Sequence, residues 1–201
     1  MSPDAALIAA LPITTVTGQW QRHVPTSRVA RALQAIPADG RWGSRTGFPV
    51  LYLGQPRDSV VVEAYRRLID PVEEPDRESL LAQLAPRTLV TCDIDVTNIL
   101  DLRTPGARAS AGLTITELQS ATDDMAAYEQ CRAVANVAHQ LGRHGLISPA
   151  ATGLGFTLAL FTDVLPEAQR PRILEDQQES WPTLPPDPRN HPQGTRLRAV
   201  D

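Results

Sequence analysis

Gly40-Arg-Trp-Gly-Ser-Arg-Thr-Gly47, then Phe48-Pro-Val-Leu-Tyr52-Leu53, then Glu63 eleven residues after the tyrosine, is the stretch that organises this 201-residue chain. Glycine lets the backbone come close to whatever it wraps. Arg41 and Arg45 carry forked donors that match a diphosphate. Tyr52 leaves a short apolar strand and can offer its ring to a planar ligand. Glu63 follows three consecutive valines, Val60 to Val62, so a carboxylate stands beside an apolar run and can reach the edge of a cleft. Singly, each residue has an ordinary role: a solvated loop arginine, a core tyrosine, a solvent-facing glutamate. The pattern points to a site only when taken together.

Working outward, alternation with Thr, Val and Trp predicts a strand over 14–24. Ser27 is placed to cap a helix over 28–36, stopped by Pro37. A strand over 50–53 turns at 54–57 into a helix capped by Asp58 or Ser59 and running to 69. Beyond an acidic loop, a short helix is expected at 76–84, a strand at 88–96 and a turn at 97–103. Thr114-Ile-Thr-Glu117 has the form of a capping box. Apolar spacing of three and four predicts a helix over 125–141. Strands are expected at 146–148, 157–161 and 172–179. Five prolines in residues 182–192 predict disorder from there on. The domain reading is an N-terminal arm at 1–13, a catalytic domain at 14–181 and a tail at 182–201. Short strands interleaved irregularly with peripheral helices indicate a single α+β domain, without the βαβα rhythm of a doubly wound sheet.

Composition removes whole classes of function. All 19 basic residues are arginine, so neither a Schiff-base lysine nor a Walker A loop is present. The net charge of −4 argues against a nucleic-acid partner. Cys92 and Cys131 lie in apolar segments and are expected as buried thiols. No run approaches a membrane span, and the first residues lack a positive signal-peptide region, so a cytoplasmic location with no membrane contact is expected. No Gly-x-Gly-x-x-Gly follows a strand. The histidines and cysteines lack metal-ligand spacing, His139 and His144 being five apart. Glu73-Glu74 and Asp123-Asp124 are read as solvated loop charges.

With these residues in place, the chain resembles the RES domain family. The Gly-Arg-Trp run, Val50-Leu-Tyr-Leu53 and Glu63 carry the resemblance. Gln19-Trp-Gln-Arg22, Asn98-Ile-Leu-Asp-Leu102 and His144-Gly-Leu-Ile-Ser148-Pro149 agree with it. Two positions depart from the family pattern: Gly43 stands where Asn is usual, and Thr157 where an Asn aligns. The resemblance implies a fold similar to ADP-ribosyltransferases. It also implies a toxin that destroys NAD+ at the nicotinamide–ribose bond, with water or phosphate as acceptor. The implied partner is an Xre-type helix-turn-helix antitoxin, in a possible oligomer with the toxin. NAD+ would be substrate, and no cofactor is implied. The candidate catalytic residues are Glu63, Arg22, Tyr52 and Ser148; Arg22, Arg41, Tyr52 and Ser148 would contact the dinucleotide, with Arg45 and His144 as lesser candidates. Transfer of ADP-ribose to a macromolecule, or an inactive binding module, are the alternative readings.

Overall fold

The first strand is long because it pairs with a partner strand over nearly its whole length and buries a side chain every four residues. Val16, Trp20 and Val24 are buried, with Arg22 between them on the same face of β1 (Ile13–Pro25). The computed structural model describes residues 3–121 and 124–190. β1 is preceded by a helical turn, α1 (Ala5–Ala9), capped by the Asp4 side chain and seated by the fully buried Ile8, so the arm is packed.

The other strands are β2 (Val50–Gln55), β3 (Arg87–Asp101), β4 (Gly145–Pro149), β5 (Phe156–Phe161), β6 (Arg172–Ile173) and β7 (Glu179–Trp181). The helices are α2 (Arg57–Leu68), α3 (Glu74–Gln83), α4 (Pro105–Ser110), α5 (Ile115–Gln119) and α6 (Met125–Gln140). All seven strands form one mixed sheet. β1 pairs along its length with β3, antiparallel, and touches β2 at one register pair, Gln21 with Gly54. β2 pairs β5, β5 pairs β4, and β4 returns parallel to β3. The pairing path therefore closes on itself. Its interior is a core of Trp20, Leu53, Cys92, Ile147 and Leu160, with one or more side chains from each of the five strands. On the other side of β4 and β5, α6 buries Cys131, Val134 and Ala138 beside Trp42 and Phe161. A third cluster joins α2 to Leu89 and Trp181. Both cysteines are free and buried, and burial pushes each thiol up to about 11, which keeps them unreactive.

The mixed α/β single domain agrees with the α+β expectation, and most elements lie where they were expected. The exceptions have physical causes. Residues 26–31 form a 3-10 helix (Thr26–Arg31) in place of an α-helix over 28–36. Buried Ala32 and half-buried Val29 are three apart, which suits a three-residue turn and offers no wide apolar face. β3 continues to Asp101 where a turn was expected. Asn98 takes a left-handed φ of 57° and the strand resumes beyond it, because Ile99 to Asp101 then pair with β4. The expected last strand splits into β6 and β7 around a 3-10 turn, Glu175–Gln177. Disorder from 182 does not hold for residues 182–190. Leu184 is buried, the Tyr65 hydroxyl donates to the Pro185 carbonyl at 3.0 Å, and Arg189 pairs with Asp70 at 2.7 Å. The remainder of that tail, 191–201, and Asp123 of the acidic pair lie outside the described residues.

Candidate active site

Helix α2 leaves water only one stripe to occupy. Val60, Val61, Val62 and Ala64 are all buried. At about 100° per residue, those positions cover more than half of the helix circumference. Glu63, Arg66 and Arg67 fall on the remaining arc. Each buried valine contributes about 1.5 kcal/mol or more, so the apolar run fixes the rotation of the helix and thereby the direction of Glu63.

The Glu63 side chain keeps 48% of its surface, and its Oε2 lies 3.9 Å from Arg66 Nε. Surrounding protein nevertheless desolvates it and raises its pKa, outweighing the opposing pull of Arg66, Arg41 and Arg67. The Glu63 carboxylate is thus reached by solvent while protein packs closely around it. The two best-defined surface hollows are elsewhere, at Ile13–Thr15 with Thr97–Asn98 and at Leu33–Ala35 with Leu165; neither is lined by Glu63, Arg22 or Tyr52. Charge and chemistry, rather than hollow volume, mark the site.

The Gly-Arg-Trp loop is held in place by five hydrogen bonds that involve three side chains, Tyr52, Arg132 and Arg41. Tyr52 Oη accepts from the Trp42 amide at 2.9 Å, and burial raises the phenol pKa. Arg132 of α6 donates to the Gly40 carbonyl at 2.9 Å. Arg41 is buried, with its guanidinium donating to Glu117 O, to Ser120 Oγ at 3.1 Å and to Ser120 O at 2.9 Å. Its guanidinium also lies 4.5 Å from the centre of the Tyr128 ring. A Cβ on Gly40 would meet Tyr52 Oη at 2.7 Å, so this glycine serves close approach to the tyrosine. A Cβ on Gly43 would meet Val50 at 2.9 Å, which explains why this chain has no side chain at that position. Phenylalanine at position 52 would strand the buried Trp42 amide. We expect Tyr52→Phe to lose about 1–2 kcal/mol in a urea unfolding titration; an unchanged midpoint would show that the bond contributes nothing.

The structure thus brings Glu63, Arg41 and Tyr52 into one neighbourhood, in roles that differ from the expectation. The Arg41 fork is spent on main-chain carbonyls and pins α5 to the loop. The hydroxyl of Tyr52 anchors the loop, and its partly buried ring packs against the core cluster that contains Trp42. Arg22 keeps a buried Nε with no acceptor, and desolvation lowers its pKa. Ser148 is buried and donates to Pro149 O at 3.2 Å; no hydrogen bond among the described residues links it to Glu63. Thr157 lies opposite it in register. Arg45 is exposed and paired with Asp39 at 2.8 Å. His144 Nδ1 lies 3.0 Å from Thr97 O. Arg66, Tyr128 and Arg132 were not picked out from sequence. Their only sequence signal is helical spacing, Arg66 three residues after Glu63 and Arg132 four after Tyr128.

A closed small sheet with a desolvated carboxylate on α2 and Arg66 beside it defines a class, and comparison with known proteins gives it a name. The RES domain model matches residues 16–183, and the chain belongs to that family. Among curated proteins it is similar to the NAD(+) phosphorylase MbcT of Mycobacterium tuberculosis and of Mycobacterium bovis, each 31% identical over 122 residues. That stretch is 61% of this chain and spans 61% of the relatives' length. Among solved structures it is similar to the crystal structure of the M. tuberculosis MbcT–MbcA toxin–antitoxin complex. The TM-score is 0.72 at 25% identity, covering 98% of this chain and 97% of that one.

Proposed function

We propose that this protein breaks the nicotinamide–ribose bond of NAD+ and passes the ADP-ribosyl group to inorganic phosphate, as the toxin of a toxin–antitoxin pair. The observation that carries the reading is Glu63, an accessible yet desolvated carboxylate at the family's spacing from Tyr52. The similarity to proteins named NAD(+) phosphorylase supports phosphate over water as acceptor.

The residue set suits the bond. Nicotinamide is cationic in NAD+ and leaves as a neutral molecule, taking the electron pair of the C1′–N bond. No general acid is needed, so the paired carboxylates of ordinary glycosidases are unnecessary. Positive charge develops at C1′ as that bond lengthens. Glu63 stabilises this charge and accepts from the ribose 2′-hydroxyl, in surroundings where a charge interaction is stronger than in water. Because the interaction grows toward the transition state, it lowers the barrier. The ring of Tyr52 orients the nicotinamide, and the unpaired fork of Arg22 receives an oxyanion. Phosphate oxygen then forms the bond to C1′ that nitrogen has vacated.

A protein antitoxin is the partner this reading calls for. By family resemblance it is of the Xre helix-turn-helix type and covers the site. The substrate places the activity in the cytoplasm. Among the described residues no helix is long and apolar enough to cross a membrane.

The test is incubation of the purified chain with NAD+, with and without phosphate, followed by product analysis. Nicotinamide should appear with phosphorylated ADP-ribose. NAD+ left intact in both buffers overturns the reading, and a radiolabelled band in lysate supplied with labelled NAD+ would reassign the acceptor to a macromolecule.

A further inference from the structure

Arg66 stands three residues after Glu63 on the same stripe of α2, and its guanidinium works in two directions. On one side, Nη2 donates to the Ser120 carbonyl at 2.8 Å and to the Gln119 carbonyl at 3.4 Å. The same Ser120 carbonyl accepts from Arg41 Nη2 at 2.9 Å, so both of its lone pairs are used. One oxygen at the end of α5 therefore ties the Gly-Arg-Trp loop to helix α2. On the other side, Arg66 Nε is buried and has no hydrogen-bond acceptor among the described residues. It lies 3.9 Å from Glu63 Oε2, close enough for charge attraction and too far for a hydrogen bond. That guanidinium attracts the carboxylate without tying it, which leaves the carboxylate oxygens open to a substrate. Only 18% of the Arg66 side chain is exposed, so water screens this pair less than it screens the exposed Arg67 next to it. The other groups in the field of Glu63 are less direct. Arg41 is spent on residues 117 and 120, Asp70 is held by Arg189 at 2.7 Å, and Tyr128 of α6 is a neutral phenol that burial keeps protonated.

We propose that Arg66 is a positioning residue of the active site, whose guanidinium spans from the Ser120 carbonyl to Glu63, sets the carboxylate beside the Gly-Arg-Trp loop and supplies the positive charge that favours its anionic form. The part in catalysis rests on the activity proposed above, and the effect on the Glu63 carboxyl does not. Arginine suits both tasks at once, because its planar fork reaches a carbonyl with one nitrogen while another faces the carboxylate. A lysine keeps the charge but offers a single point of contact, so it cannot serve both ends. Without the cation, less positive charge opposes the desolvation of Glu63, and the carboxyl keeps its proton to a higher pH. The ionised form is the active one, so the rise of rate with pH moves to higher pH in the same sense.

Two readouts on the full chain test this. The Glu63 carboxyl is titrated by carbon-13 NMR of glutamate-labelled protein, its signal identified by its loss in Glu63→Gln. The pH dependence of kcat and KM for nicotinamide release from NAD+ is measured alongside. In Arg66→Gln the carboxyl titration and the rise of kcat should both move to higher pH. In Arg66→Lys both should stay near the wild type, because the charge is kept. The plateau of kcat at high pH should fall about tenfold or more in each variant, as the tie to Ser120 is lost, while KM for NAD+ changes less than about threefold. Arg67→Gln removes an equal charge from the exposed neighbouring position and should move the titration less than Arg66→Gln does. A lower melting temperature in Arg66→Gln with the carboxyl titration in place overturns the proposal, since Arg66 would then be structural only. An equal displacement in Arg67→Gln also overturns it, since Arg66 would be one charge among several. If the wild type releases no nicotinamide while the Glu63 titration responds to Arg66 as stated, the link between the two residues stands and the proposed activity falls. If nicotinamide is released and the titration ignores Arg66, the reverse holds.

Discussion

Glu63→Gln is expected to cut nicotinamide release from NAD+ a hundredfold or more and to leave the fold unharmed. Glutamine keeps the shape of the side chain and removes the negative charge that would face C1′. Loss of one such interaction typically costs about 3 kcal/mol in the transition state, roughly a hundredfold in rate. Folding should not suffer, since the carboxylate is desolvated where it stands. Its raised pKa means that the native state holds the proton more tightly than the unfolded chain does. Wild-type stability therefore declines as pH rises from the ordinary carboxylate range up to the raised folded value, and Glu63→Gln lacks that decline. Thermal melts at neutral pH should place the variant no lower than the wild type. The rate of the wild type should rise with pH through the same raised value, because the ionised form is the active one. A Glu63→Gln protein with more than about a tenth of wild-type turnover would remove Glu63 from the chemistry.

Arg41→Ala carries the largest expected penalty to stability. The buried guanidinium makes three hydrogen bonds to residues 117 and 120 and covers the Tyr128 ring. Alanine leaves the Glu117 carbonyl without that donor and opens a void beside the aromatic ring. We expect a loss of about 3 kcal/mol, which in a chain of this size lowers Tm by about 6–12 °C. Lysine retains the charge and cannot span both carbonyls, so Arg41→Lys should recover only part of the loss. Turnover should drop with stability, because the same bonds seat the Gly-Arg-Trp loop beside Glu63. A melt within about 2 °C of wild type would show that Arg41 does not pin the loop.

How far the site was legible in sequence can be judged residue by residue. Glu63 was marked by the three valines before it, because an apolar run fixes which face of a helix stays wet. The Thr114 capping box formed as read, with Glu117 N donating to Thr114 Oγ1 at 3.1 Å and Thr114 N donating to Glu117 Oε2 at 2.7 Å. Local patterns of this kind are complete within four residues, so sequence contains them whole. The fate of Arg41 was not legible. Its acceptors lie 76 and 79 residues further along the chain, and nothing near position 41 announces them. Residues 182–190 were misjudged for the same reason. Proline density argues against a core of its own, but the segment needs none, since it borrows the surface of α2 through Tyr65 and of the turn after it through Asp70.

The absence of lysine made arginine the sole fixed cation, and sequence alone established that. Sequence also determined the order of most strands and helices, through periodicities of two and three to four, and singled out Glu63 as the candidate carboxylate. Tertiary structure decided which arginines remain for a ligand. Arg41, Arg66, Arg132 and Arg189 are consumed by carbonyls, carboxylates and rings brought from distant parts of the chain. Arg22 keeps a buried Nε that no acceptor among the described residues reaches. Composition counts charges, whereas only the fold determines which of them are already neutralised.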